Sequence, residues 1–457
     1  MRPIITPMTT QLLIKNARLV NEGQVRDGDL LVRDGRIERI DSAIAADAAS
    51  EVIDAGGAWL LPGMIDDQVH FREPGLTHKG GIWSESRAAV AGGITSYMEM
   101  PNTLPPTVTL EALENKYAIA ADKSLANYAF YLGATNDNLD VIRALPVGAA
   151  AGIKIFMGAS TGNMLVDNEQ TLSGIFRDAP ALIVTHCEST PLIQRNLERA
   201  LAEYGREIPI SEHPNIRSAK ACYVSTQTAI GLAREHQAPL HVLHLSTARE
   251  MELFEPGPMD GKLVTAEICV HHLHFNSDDY ARLGNHIKCN PAIKTPADQA
   301  ALLAALKEGR LDIIATDHAP HTREEKAVSD YQKAPSGLPL VQDALLSALE
   351  FYHDGDLDIE DIVLRTAHNP ARRYRVAERG FLREGYWADL VLVDTNRPTP
   401  VTRARVLSQC GWSPFEGETF RSAIVATWVN GQAVYRDGRV IEARAAARLQ
   451  IGPQRAL

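Results

Sequence analysis

Eight short apolar runs, separated by stretches of helical texture, constrain the fold of this chain more than any other feature. They are LPGMIDDQVH (61–70), GITSYMEMP (93–101), NYAFYLGA (127–134), GIKIFM (152–157), ALIVTHCE (181–188), LHVLHLS (240–246), VTAEICVHHL (264–273) and LDIIATDHAPH (311–321). Runs this short and this apolar read as strands buried on both faces. Between them, SESRAAVAGG, TPLIQRNLERALAEYG and TPADQAALLAALKEG read as helices. Strand and helix alternating eight times over about 300 residues predict a parallel (β/α)8 barrel over 62–371.

The two ends have another texture. LLIKNARLV, GDLLVRDGRIERI and SEVIDAGGAWLLP precede the runs, and ADLVLVD, SAIVATWVNGQAVY and RDGRVIE follow them. These are short strands, and Asp34-Gly35, Asn430-Gly431 and Asp437-Gly438 mark hairpin turns. Residues 1–61 and 372–457 are therefore expected to pair into one small β-sandwich beside the barrel. A chain of 457 residues has room for both domains.

Composition excludes some functions. The formal charge of −11 argues against a partner held through phosphate contacts. The five cysteines, Cys187, Cys222, Cys269, Cys289 and Cys410, form no CxxC pair and suit a reducing compartment. The N-terminal MRPIITPMTTQLL lacks an apolar signal core, and no run of about eighteen apolar residues occurs. A cytoplasmic protein with neither nucleic acid nor membrane as partner is expected.

Barrel enzymes carry their chemistry at the C-terminal ends of the strands. Here His70 ends the first run, Lys154 lies in the fourth, His186 and His244 end the fifth and sixth, and Asp317 with His321 closes the eighth. Each has a plainer explanation alone: a hydrogen-bonded structural histidine, a helix cap at Asp317, a lysine snorkelling out of the strand. Together they would be several independent accidents at equivalent positions. Lys154 is the most telling. An ammonium within GIKIF is costly to bury, whereas a lysine neutralised by burial is nucleophilic and reacts with CO2 to give an anionic carbamate able to bridge two metals.

DDQVHFREPGLTHK, MPNTLPP, GIKIFMGASTGNMLVDN, THCE, HLST, IKCNPAIK, ATDHAPH and CGWSPFEG together resemble the dihydroorotases of the cyclic amidohydrolase family. The resemblance runs from about residue 12 to 440 and implies two Zn2+ ions, with one as the lesser alternative. It implies His186 and His244 on one ion, and the HxH pair with Asp317 on the other. Lys154, carboxylated to N6-carboxylysine by CO2, and a hydroxide would bridge them. Arg72 would bind the substrate carboxylate, a planar fork on a planar anion. Asn102, Asn290 and His321 would complete substrate binding, with Ser336 and Gly337 contacting it through backbone.

The chain departs from the family at one position, reading Gln68-Val69-His70 where HxH is expected. An amide oxygen is a poorer zinc ligand than imidazole, so the ion held by His70, Asp317 and Lys154 should be the weaker one. The implied reaction is hydroxide attack on a metal-polarised ring amide, with Asp317 as general acid/base. It interconverts L-dihydroorotate and N-carbamoyl-L-aspartate in pyrimidine synthesis. Allantoinase or dihydropyrimidinase/hydantoinase activity is the nearest alternative. A non-catalytic scaffold for aspartate transcarbamoylase is the distant one, and a homodimer stays open.

Overall fold

Hairpin chemistry builds the ends of the chain as expected. In the computed structural model, which describes residues 11–46, 50–158 and 164–455, both residues of each predicted turn have positive φ. The values are 50° and 80° at Asp34-Gly35, 49° and 76° at Asn430-Gly431, and 45° and 80° at Asp437-Gly438. That is the signature of the turn whose twist matches its flanking strands. Two of these turns, from opposite ends of the chain, touch. A Cβ on Gly35 would lie 2.7 Å from the Asn430 carbonyl oxygen, and one on Gly431 would lie 2.7 Å from the Gly35 Cα.

The strands unite in one nine-stranded sheet. Its order is Arg439–Val440, Gln432–Arg436, Ala423–Val429, Leu390–Asp394, Trp59–Pro62, Gln11–Asn21, Gln24–Arg33 and Arg36–Asp41, with Ser50–Asp54 added along Gln11–Asn21. The two ends join where Leu390–Asp394 runs antiparallel to Trp59–Pro62, Val391 opposite Leu61. Leu12, Ile14, Leu30, Leu60, Leu390, Leu392 and Trp428 bury the inner face. This is the β-sandwich companion of the barrel.

The barrel strands are Met64–Val69, Ile94–Glu99, Asn127–Phe130 continued by Leu132–Gly133, Ile153–Phe156, Ile183–His186, Leu240–Val242, Val264–Cys269 and Ile313–Ala315. Among the described residues, each ladder between neighbouring barrel strands is parallel. The circle closes where Val69 bridges His318 and the His70 amide donates to the His318 carbonyl at 2.7 Å. The three helices expected from sequence form at Ile82–Ala91, Thr190–Tyr204 and Pro296–Lys307. The last starts at a capping box, Thr295 accepting from the Asp298 amide. No helix among the described residues is long and apolar enough to cross a membrane.

Beyond the sheet, the chain returns to the barrel. The Leu449 amide donates to the Tyr128 carbonyl at 2.9 Å, and Gln454 accepts from the Leu182 amide at 3.0 Å while donating to the Ala151 carbonyl at 2.7 Å. These contacts lie at the starts of the strands. The C-terminal ends stay open for chemistry.

Candidate active site

A cavity of about 410 Å³ opens at the C-terminal ends of the barrel strands. Gln68, His70, Arg72, Asn102, Lys154, His186, His244, Asn290, Asp317, His321, Ser336 and Gly337 all line it. The fold thus brings every site residue singled out from sequence to one place. Arg72, His244 and Asp317 have φ of 69°, 40° and 51°, values that side chains other than glycine rarely adopt and that cluster at functional sites.

The fifth and sixth strands supply one pair of candidate ligand atoms. His186 Nδ1 lies 3.0 Å from His244 Nε2. Behind it, His186 Nε2 lies 3.0 Å from Glu188 Oε2, which also accepts from Arg217 Nη1. Burial would raise the Glu188 pKa, but Arg217 and His186 outweigh it and hold the carboxyl at about 2. An ionised carboxylate only accepts, so His186 Nε2 carries the hydrogen and Nδ1 presents its lone pair. Burial lowers the pKa of His186, and lowers that of His244 further with help from the His186 and Lys154 charges. Both shifts favour the neutral imidazole, the form that binds a cation. Glu188 and Arg217 were not singled out from the sequence, although Glu188 is the last letter of the THCE motif.

The first and eighth strands supply the other pair. His70 Nε2 and Gln68 Nε2 each lie 3.1 Å from Asp317 Oδ1, and His70 Nδ1 lies 2.7 Å from Asn102 Oδ1. With Nδ1–H donating to Asn102, His70 turns a lone pair toward a carboxylate, an arrangement that a cation stabilises. Burial keeps His70 itself from supplying that charge, lowering its pKa against the pull of Asp317. Gln68 differs. Its amide N–H donates to Asp317 while Oε1 faces the Cys269 thiol at 3.9 Å. Tetrahedral coordination at about 2.0 Å puts nitrogen or oxygen ligands roughly 3.3 Å apart. Both pairs approach that spacing, so both fit a divalent cation.

Lys154, whose charge acts on His70, His186 and His244, does not snorkel: it is 1% exposed. Among the described residues its Nζ has no oxygen partner, only the face of Phe156 at 4.7 Å. Burial pushes its pKa down to about 8, although Asp317 and Glu267 resist. Residues 159–163 of the GIKIFMGASTGNMLVDN motif lie outside the described residues. Nor does Asp317 cap a helix. The next helix, Arg323–Lys326, is capped by Thr322, which accepts from the Glu325 amide.

Opposite the imidazoles, Arg72 donates through Nε to the Pro320 carbonyl at 3.1 Å, and its Nη2 lies 3.1 Å from His321 Nε2. Lys79 Nζ lies 3.0 Å from His321 Nδ1 and must be the donor there. His321 Nε2 therefore carries the hydrogen and donates to the Ser336 carbonyl at 3.0 Å. Two donors face each other, and His321 offers Arg72 Nη2 no acceptor. Burial lowers the Arg72 pKa only to about 10, so the group stays charged. Gly337 closes this wall, with φ 142°, where a Cβ would meet the Ala319 carbonyl oxygen at 2.4 Å. Trp412, from the CGWSPFEG motif, holds the loop by donating Nε1–H to the His321 carbonyl at 2.8 Å.

Beneath the cavity lies a buried polar layer. His241 Nε2 approaches Glu267 Oε2 at 3.2 Å and Asp67 Oδ2 at 3.4 Å. Glu267 Oε1 accepts from the His244 amide at 3.1 Å. Burial opposes a charge on His241, yet the two carboxylates prevail and its pKa is raised. This layer supports the backbone of His244. A second grouping with ligand chemistry, Cys269, His271 and His272, is also buried.

The fold and these converging imidazoles, lysine and aspartate define a (β/α)8-barrel hydrolase. The chain belongs to the amidohydrolase family, whose pattern matches residues 59–434. It is 34% identical over 438 residues to an allantoinase of Bacillus velezensis, covering 94% of this chain and 95% of that one. It is 33% identical over 417 residues to a dihydroorotase of Methanosarcina acetivorans, covering 88% of each. Its structure resembles that of L-hydantoinase (dihydropyrimidinase) from Arthrobacter aurescens with a TM-score of 0.92 and 29% identity, covering 97% of this chain and 100% of that one.

Proposed function

We propose that this enzyme opens and closes a cyclic amide bearing a carboxylate, and that the ring is dihydroorotate, the open form N-carbamoyl-L-aspartate. The observation carrying this reading is Arg72, a buried charged fork whose Nη2 finds no acceptor in His321. Charge agrees. Arg72 and Lys288 line the cavity as cations, Arg217 being neutralised by Glu188 and Lys154 being counted as its carbamate, and Asp317 is the only aspartate or glutamate on the lining.

His186 and His244 would hold one Zn2+, and His70 with Asp317 the other. Lys154, as its carbamate, would supply both with an anionic oxygen ligand. At a pKa near 8 a fraction of its amine is neutral at physiological pH, and that fraction attacks CO2, releasing a proton. Bound zinc supplies Lewis acidity at the ring carbonyl and a nucleophile at neutral pH. Asp317 takes the proton released as water oxygen adds to the carbonyl carbon. It returns that proton to the ring nitrogen as the C–N bond breaks. The reverse sequence closes the ring and releases water. Arg72 fixes the carboxylate, and Asn102, Asn290, His321 and the backbone of Ser336 and Gly337 orient the ring.

A second reading has its own support. Ile193, Leu197 and Ile216 give the cavity an apolar side, and one similar solved structure is an L-hydantoinase. This favours a hydantoin with an apolar substituent.

Turnover of dihydroorotate, allantoin and a 5-alkyl hydantoin separates the readings. We expect dihydroorotate to have the highest kcat/KM. Arg72→Ala should lower it by roughly 2–3 kcal/mol, the scale of a lost charged hydrogen bond, and Arg72→Lys should not restore the fork. Preference for the alkyl hydantoin, unchanged in Arg72→Ala, would establish the second reading instead.

A further inference from the structure

We propose that two buried lysines, Lys326 and Lys288, act as a clamp that holds residues 331–337 as the substrate-facing wall of the cavity, making them positioning residues for the ring. The inference rests on reading this cavity as the substrate site.

Tyr331, Gln332, Ala334, Pro335, Ser336 and Gly337 all line the cavity, yet residues 327–343 contain no helix and no strand. Repetitive hydrogen bonding does not hold such a segment, so its carbonyls need other donors. Two ammonium groups supply them. Lys326 Nζ donates to the carbonyls of Lys288, Pro335 and Gly337 at 3.0 Å each. Lys288 Nζ donates to those of Tyr331 and Ala334 at 2.6 Å each. The two lysines are joined through the Lys288 carbonyl, which also accepts from the Gly337 amide at 2.9 Å. His213 ties the same strip from the other side, Nε2 meeting the Cys289 carbonyl at 2.7 Å and Nδ1 the Tyr331 hydroxyl at 2.8 Å.

Only a protonated lysine carries three N–H groups and no lone pair. A neutral amine at position 326 would leave one of its three carbonyls without a donor and turn a lone pair toward it. Ordinary surface lysines stay charged far above neutral pH, but these two do not. Burial lowers Lys326 to about 7 and Lys288 to about 8. Cys289, Arg72, Glu325, His286, His321 and the Trp412 ring surround Lys326, with Lys288 beside it; Arg217, Asp330, His213 and the Tyr331 ring surround Lys288. Glu325 and Asp330 favour the charged forms, whereas Arg72 and Arg217 oppose them. The clamp is therefore closed in mild acid and loosens as pH rises through 7 to 8.

The test compares Lys326→Met and Lys288→Met with the wild-type enzyme. Steady-state kinetics on dihydroorotate and hydrogen exchange of residues 328–338 are followed from pH 6.5 to 9.5, exchange being corrected for intrinsic base catalysis. At pH 6.5 each variant should raise KM about tenfold, leave kcat within about threefold, and speed exchange of the 331–337 amides at least tenfold. The wild type should approach the variants in KM and loop exchange as pH rises. Unchanged KM and loop protection in both variants would overturn the clamp, as would a wild-type loop whose protection stays constant across this range. If one variant does not fold, the other and the wild-type pH series still decide. Loop exchange that responds as described in an enzyme inactive on every cyclic amide would refute the function proposed above and leave the clamp standing.

Discussion

The two halves of the candidate cation site are built to different standards. On the fifth and sixth strands, two neutral imidazoles face each other at 3.0 Å, and a carboxylate held by an arginine fixes the tautomer of His186. On the first and eighth strands, one imidazole and Asp317 remain, and Gln68 adds an amide donor where the family pattern has a second imidazole. Ligand number and the groups behind the ligands set metal affinity together. One half is preorganised for a cation, and the other shares its carboxylate with a hydrogen bond.

Lys154 is the point at which both halves fail together. Lys154→Ala should lose bound metal from each and reduce turnover at least about a thousandfold, roughly 4 kcal/mol of activation free energy. Metal analysis beside the rate checks this, and full metal content with normal turnover would remove the lysine from the site.

Breaking only the stronger half requires leaving its ligands in place. Glu188→Gln keeps the shape but ends the charge-assisted hold on His186 Nε2. It should weaken the first cation about 10- to 100-fold, the usual cost of losing a carboxylate behind a metal-bound histidine. Imidazole nitrogen shifts should show a mixed His186 tautomer, and Glu188→Asp should recover part of the loss. An unaltered chelator titration would mean that Glu188 serves packing alone.

The smallest effect sharpens the contrast from the other side. Chelator titrated against the wild-type protein should withdraw zinc in two unequal steps, and Gln68→His should tighten the weaker one about tenfold. Release of both ions at one chelator concentration, unmoved by Gln68→His, would show the halves to be equivalent after all.

Legibility in the sequence followed the range of the interactions. Strand runs and Asx-Gly turns depend on a few neighbouring residues, and they formed where local chemistry placed them. Glu22-Gly23 also turns with both φ positive, at 52° and 72°, but glutamate does not signal that conformation in a sequence. The candidate ligands were readable because barrel strands end at the chemical face. Glu188, Arg217, Lys288 and Lys326 were not readable. Each looks like an ordinary charged residue until folding removes its water.

The amino-acid sequence alone determined the alternation that winds the barrel, the hairpin texture of both ends, and which strand termini carry imidazole, lysine and carboxylate. These follow from periodicity and short-range sterics, which any segment expresses locally. Tertiary structure alone decided that Gly35 and Gly431 meet across nearly four hundred residues and that Leu449 and Gln454 brace the floor of the barrel. It also decided that His186 presents Nδ1 and that Gln68 turns its N–H to Asp317. Those outcomes depend on which groups share a buried space and which charges must be satisfied there. Burial and pairing are properties of the assembled chain, not of any stretch of it.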